Sequence, residues 1–200
     1  MAETPKYLSE KIAVILLGAG HPYHGASPSG LHETPDRRLV LDWIIDAYSY
    51  FSPTWHFVGG FQVNDVVKKY PELNYSINEN WQTTKVVESL FSAPLRKNMS
   101  HFVSYTDIVY CKDTINKMSE ASGDVVLAID KSWRKRYEGR AVHDLKIAEK
   151  IITSGSKVIE LGESVSLEDA NAEFAGIAKL SVRAIKEIIT LRNNNRHNCL

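Results

Sequence analysis

The stretch Ile12-Ala13-Val14-Ile15-Leu16-Leu17-Gly18-Ala19-Gly20 decides the fold. A continuous apolar run closed by glycine reads as a β-strand buried on both faces, the kind found inside parallel sheets. Working outward, a loop rich in Gly, Pro, Ser and His runs from Gly18 to about Pro35. Leu41, Ile44, Ile45 and Tyr48 then recur at helical spacing within Leu39–Tyr50. Trp55–Val58 reads as a second strand ended by Gly59-Gly60, and Val63–Tyr70 as a helix stopped before Pro71. Leu73–Ile77, His101–Tyr105 and Val125–Ile129 read as strands, with helices over Thr84–Phe91 and Lys112–Ser119 between them.

Connections of this length are too long for hairpins, so the alternation predicts an α/β fold: a mostly parallel central sheet with helices on both faces, joined by right-handed crossovers. The rhythm changes after Asp130. Glu149–Thr153 and Lys157–Leu161 flank Ser154-Gly155-Ser156, the pattern of a β-hairpin. Phe174–Leu180 reads as a further strand and Val182–Leu191 as a terminal helix, followed by a polar tail from Arg192 to Leu200. The expectation is one domain over residues 1–200 with a smaller, irregular C-terminal part.

Composition narrows the class. The chain has 200 residues, 44% hydrophobic and 24% charged, with 24 Lys+Arg against 24 Asp+Glu. That balance is ordinary for a globular protein. Zero formal charge offers no general attraction to nucleic acid or to an anionic membrane. Ile12–Leu17 falls far short of the roughly 20 apolar residues that span a bilayer. Cys111 and Cys199 form no CxxC pair, which argues against a disulfide framework or zinc site and for a reducing, cytoplasmic setting.

In an open parallel sheet ligands bind beyond the carboxyl ends of the strands. Glycines there let backbone N–H groups approach phosphate unobstructed. Leu17, Gly18, Ala19 and Gly20 lie at such an end. No GxGxxG continues from them, since the next glycine is Gly25 and Pro22 interrupts, and no Walker A sequence is present. An open phosphate loop and an ordinary βα turn remain as readings. Arg37 and Arg38 follow Thr34-Pro35 and are candidate catalytic cations for a triphosphate, or else a solvated face. His21, His24 and His32 share the loop without metal-site spacing. Asp107 stands just past a strand, placed either to hold Mg²⁺ or to cap the next helix.

The order of these pieces resembles the nucleotidyltransferase superfamily. Leu17-Gly18-Ala19-Gly20 is similar to the start of its signature loop, and Thr34-Pro35 with Val40-Leu41-Asp42-Trp43 to the end of that loop. Phe57-Val58-Gly59-Gly60-Phe61 resembles the second strand and its turn. Asn78-Glu79-Asn80-Trp81-Gln82-Thr83-Thr84 with Ser89-Leu90 resembles the region beside the base, and Tyr105-Thr106-Asp107-Ile108 the metal-binding segment. Ile129-Asp130-Lys131-Ser132-Trp133, Arg136-Tyr137-Glu138-Gly139-Arg140 and Glu173-Phe174-Ala175-Gly176-Ile177-Ala178-Lys179 resemble the cytidylyltransferase branch. That branch acts on phosphocholine or phosphonates such as 2-aminoethylphosphonate, and some members are fused to phosphoenolpyruvate mutase. The resemblance covers roughly residues 11–181.

The resemblance implies a three-layer, nucleotide-diphospho-sugar-transferase-like fold and a Mg²⁺-dependent transfer of NMP, with CTP favoured over another NTP. An acceptor phosphate or phosphonate oxygen attacks the α-phosphorus and pyrophosphate leaves, so positioning and charge neutralisation supply the rate. The nucleotide would meet Leu17 to Gly20, with Asn78 and Thr84 near base or ribose, Asp107 holding Mg²⁺, and Arg37 or Arg38 as the signature cation. Trp133 and Tyr137 would offer an aromatic face to the acceptor; packing of the C-terminal part explains them equally. Trp43, Trp55 and Trp81 read as packing residues. Sugar-1-phosphate transfer and a non-catalytic nucleotide-binding domain of a larger protein are the alternatives. The chain departs from the family in carrying His21 where an arginine is usual and Asp36 where a lysine is usual. No clear equivalent of the family's second metal-binding aspartate follows Val182–Leu191, so either the chain is truncated or the metal site is incomplete.

Overall fold

The computed structural model describes residues 11–22, 25–162 and 164–197. They form two compact units. One comprises the described residues up to Val126 together with those from Ala178 onward, and the other is Leu127–Ile177.

The first unit is built on parallel strands β1 (Ile12–Gly18), β2 (Thr54–Gly59), β3 (Asn74–Ile77) and β4 (Ser100–Tyr105), in the order β3-β2-β1-β4. The apolar run that opens the chain is the centre of this sheet. Leu16 pairs with Phe57 on one side and Ser104 on the other, and Ile12 to Leu16 are all buried. Helices α1 (Val40–Ala47), α2 (Val63–Lys69), α3 (Val86–Ser92) and α4 (Lys112–Glu120) make the crossovers.

Alternation along the strands sends side chains to two covered faces. Ile15 and Val103 pack with Ala184, Ile185 and Ile189 of α7 (Val182–His197), and Leu90 of α3 joins them. On the opposite face Tyr48, which closes α1, meets Phe102 edge-on at 5.5 Å. The strand-helix alternation and the layered, mostly parallel sheet expected from the sequence are therefore present.

Strands β5 (Val125–Asp130) and β8 (Ala172–Leu180) pair with each other, and each begins in one unit and ends in the other. In the second unit, β6 (Lys150–Ser154) and β7 (Lys157–Leu161) form the expected antiparallel hairpin, and β6 pairs with β8. Helices α5 (Trp133–Arg136) and α6 (Val142–Ile147) occupy a charged stretch that showed no apolar period. The core here is Trp133, Ala148, Val165 and Ala170.

Two boundaries differ from expectation for local reasons. Helix α3 starts at Val86, not Thr84, because Thr84 is engaged in the preceding turn through Asn78 and Asn80. Helix α7 runs on to His197 instead of stopping at Leu191; Arg192 Nη1 donates to the Phe91 carbonyl at 3.2 Å, which holds the added turn. No helix among the described residues is long and apolar enough to cross a membrane.

Candidate nucleotide site

The carboxyl ends of the four parallel strands are tied together by hydrogen bonds between their loops. Phe61 N–H donates to the Ala19 carbonyl (2.9 Å), Asn78 N–H to the Gly59 carbonyl (2.8 Å) and Thr106 Oγ1 to the Leu17 carbonyl (3.4 Å). This stitching requires two glycines. A Cβ on Gly60 would stand 2.6 Å from the Ala19 carbonyl oxygen and as close to the Trp81 indole; one on Gly18 would stand 2.4 Å from Phe57. Gly20 differs, since a Cβ there would meet nothing within 4 Å. Open space in front of a glycine is what a ligand's phosphate needs.

Two adjoining hollows open at this edge. The first, about 130 Å³, lies among Gly18, Gly20, His21, Ser29, Thr106 and Asp107. The second, about 170 Å³, is bounded by Ala19, Gly20, Trp81, Thr84, Lys85 and Ser89, and both share Leu17, Gly20 and Tyr105. Asp107 is exposed at the rim, yet crowding about its carboxyl raises its proton affinity above the usual carboxylate value. It makes no salt bridge among the described residues.

Asn78 is buried and fully engaged. Its Nδ2 donates to Thr84 Oγ1 (2.8 Å) and Ser89 Oγ (3.0 Å), and its Oδ1 accepts from Asn80 N–H (3.1 Å). Asn78 thus shapes the wall that Thr84, Lys85 and Trp81 present. Trp81 is only half-buried and borders the pocket, where the sequence suggested packing alone. Lys85 and Ser29 also line the hollows and were not singled out beforehand. Lys85 directly follows the Asn78–Thr84 motif, which was the available signal.

Arg37 and Arg38 are not among the residues lining either hollow. Thr34 folds residues 33–39 into a closed bend, its hydroxyl accepting from Trp43 Nε1 and placed to share its single proton between Asp36 and the Arg38 carbonyl. Arg38 then lies over the Trp43 ring at 4.2 Å and donates to the Asp42 carbonyl. Arg37 is exposed at the tip with a left-handed φ of 66°. His21 does line the first hollow and stacks at 4.5 Å on Phe61. His32 ties the loop internally through the Ser27 carbonyl, and His24 lies outside the described residues. Among the described residues no group of three or more His, Cys, Asp or Glu is placed to hold a metal.

In the second unit Trp133 is 1% exposed and belongs to the core, so it presents no open aromatic face. Arg134 stacks on its ring at 4.7 Å. Tyr137 is half-buried and donates to the buried Glu173, which Arg136 also contacts. Burial and that carboxylate push the Tyr137 phenol up to about 12.

A larger hollow of the first unit, about 500 Å³, lies elsewhere, walled by Phe51, Trp55 and Tyr70 with Asp42, Asp46 and Glu72. Three carboxylates give it the wrong sign for a triphosphate.

A parallel sheet with a glycine loop and Asp107 at its carboxyl edge is the arrangement in which open α/β folds place their ligands. No family model matches the chain. It is 28% identical over 191 residues to the CTP:phosphoglutamine cytidylyltransferase of Campylobacter jejuni subsp. jejuni serotype O:2, across 88% of this chain and 75% of that protein. The inositol-1-phosphate CTP transferase of T. maritima superposes with a TM-score of 0.61 at 14% identity, over 88% of this chain and 73% of that one. The CTP:phosphocholine cytidylyltransferase of Streptococcus pneumoniae superposes with a TM-score of 0.58 at 14% identity, over 90% and 75%. The chain has the nucleotide-diphospho-sugar transferase fold, and its sequence resembles that of a cytidylyltransferase.

Proposed function

We propose that this protein is a cytidylyltransferase that joins CMP from CTP to a small phosphorylated acceptor and releases pyrophosphate. The observation that carries the proposal is the pair of adjoining hollows at one sheet edge, sharing Gly20 and lined by Asp107 in one and Lys85 in the other, in a chain similar over 88% of its length to a CTP-using transferase. The acceptor's phosphoryl oxygen attacks the α-phosphorus of CTP; that P–O bond forms as the bond to the pyrophosphate oxygen breaks. The chain binds, orients and neutralises charge, and needs no covalent intermediate.

Backbone N–H groups from Gly18 to Gly20 face the phosphates, and Lys85, which has no ion-pair partner among the described residues, stands as the pocket cation. Asp107 fits Mg²⁺, which takes one or two carboxylates plus substrate phosphates. When bound, the ion would offset charge on the triphosphate. The hollows are smaller than a typical ligand cavity of about 300–1,000 Å³, which suits a nucleotide held along an open edge. Phosphoglutamine and phosphocholine are the first acceptors to try, followed by 2-aminoethylphosphonate.

The experiment is pyrophosphate release from CTP and Mg²⁺ with each acceptor, run beside ATP, GTP and UTP. CTP-selective release that Asp107→Asn abolishes supports the proposal. His21 in the arginine position, and Arg37 and Arg38 away from the pocket, favour a second reading, nucleotide binding without transfer. CTP binding with no release from any acceptor would select it.

A further inference from the structure

At the opposite end of the same strands lies a second polar cavity that the nucleotide site does not use. Its volume is about 240 Å³, and Ala13 and Ile15 of β1 form its floor. The register places His101 of β4 beside Ala13 and His56 of β2 beside Ile15, so the two imidazoles flank one strand on one face. Arg96, from the segment between α3 and β4, lines the same cavity. No Asp or Glu lines it, and Arg96 has no ion-pair partner among the described residues.

The two histidines have different tasks. His101 is completely buried, and both ring nitrogens are committed: Nε2 accepts the Arg96 backbone N–H (3.2 Å) and Nδ1 lies 3.1 Å from the Met99 carbonyl. Only the neutral Nδ1–H tautomer satisfies both. His101 therefore pins the segment that carries Arg96. His56 engages Ser76 Oγ through Nε2 at 2.7 Å, and its Nδ1 has no hydrogen-bond partner among the described residues. The groups that line the cavity beside His56 are Arg96, His101 and Asn74, whereas the Tyr75 phenol lies on the other face of the sheet, against Phe57 and the Tyr70 carbonyl. Burial and the Arg96 charge both hold His56 below its ordinary value, the behaviour of a site with unanswered positive potential.

We propose that this cavity is an anion site for a phosphate group, either free orthophosphate or a small phosphomonoester, held by the Arg96 guanidinium and the free nitrogen of His56. A guanidinium presents forked donors to phosphate oxygens, and an imidazole that takes up a proton adds a charged donor. The volume is too small for a nucleoside triphosphate and too polar to remain empty of solvent.

The test is NMR titration of the full chain, labelled at histidine, with inorganic phosphate and in parallel with methyl phosphate, at constant ionic strength. The expected result is saturable movement of the His56 ring signals and a rise of its pKa by at least one unit, with His101 remaining neutral. Arg96→Gln, a change at an exposed side chain, should weaken phosphate at least tenfold on the His56 signals while leaving CTP affinity unchanged. Tighter binding of inorganic phosphate identifies the free ion as the ligand; tighter binding of methyl phosphate identifies a monoester. Movement of residues near Gly20 alone, equal movement with chloride, or undiminished affinity in Arg96→Gln would overturn the proposal.

Discussion

Gly18 and Gly20 are two residues apart and serve opposite ends. At Gly18 a methyl group would collide with Phe57 at 2.4 Å and Thr106 Oγ1 at 2.9 Å. Gly18→Ala should therefore cost about 1–3 kcal/mol of stability through overpacking, read as a lowered urea midpoint. At Gly20 the same methyl enters open space, so Gly20→Ala should leave the midpoint unchanged and weaken CTP instead. Equal midpoints for the two variants would show that the contrast has been misread. Asp107 belongs to the same scale. Its raised proton affinity and its place on the hollow without a salt bridge among the described residues suit it to a charged ligand. Asp107→Asn should reduce pyrophosphate release by about 100-fold or more, as expected when an electrostatic partner of the reacting phosphate is removed.

Among the elements, the segment from Asn78 to Ser89 carries the most consequence. The Asn78 carboxamide makes three hydrogen bonds and fixes a turn, a pocket wall and the start of α3 together. Asn78→Ala strands the hydroxyls of Thr84 and Ser89 and the Asn80 N–H, at a cost of about 1–3 kcal/mol. Calorimetry should show weaker CTP binding accompanied by a lower melting temperature. Lost CTP binding at an unchanged melting temperature would instead make Asn78 a direct ligand contact. This segment also shows where sequence reading reached and where it stopped. Strand β1 and its glycines were legible because burial on both faces leaves an uninterrupted apolar run. Resemblance singled out Asn78, Thr84 and Asp107; Thr84 and Asp107 border the hollows, while Asn78 holds the wall behind them through hydrogen bonds that no sequence pattern encodes. Ser29 carries no local pattern, since its place depends on which loops the sheet brings together, and the only signal for Lys85 is that it follows the Asn78–Thr84 motif. Arg37 and Arg38 misled because the hydroxyl of Thr34 closes a bend that turns Arg38 onto Trp43. Trp133 misled because a ring flanked by charges in sequence is buried in the core of its unit, with Arg134 covering its face.

For the whole molecule, the polar cluster at the amino edge of the sheet ties folding to pH. His101 is held down to about 4 from an ordinary 6.5, chiefly by burial, so the folded protein keeps it neutral where an unfolded chain would protonate it. Above pH 6.5 both states are neutral and the group has no effect. As pH falls from 6.5 toward 4 the unfolded state binds a proton that the folded state refuses, and stability declines by up to roughly 3 kcal/mol. His56, also shifted down, acts with the same sign. Asp107 acts oppositely, because a carboxyl with raised affinity favours the folded state as it protonates, but only when the pH nears the carboxylate range. The urea midpoint should therefore fall between pH 7.5 and pH 5.0. His101→Phe, which cannot titrate, should flatten that slope even while lowering stability overall by removing the acceptor for the Arg96 N–H. Should the variant fail to fold, the wild-type slope alone decides: a midpoint constant from pH 7.5 to 5.0 would mean that His101 protonates freely. The neutral clasp on the Arg96 segment, and with it the geometry of the anion cavity, would then be wrong.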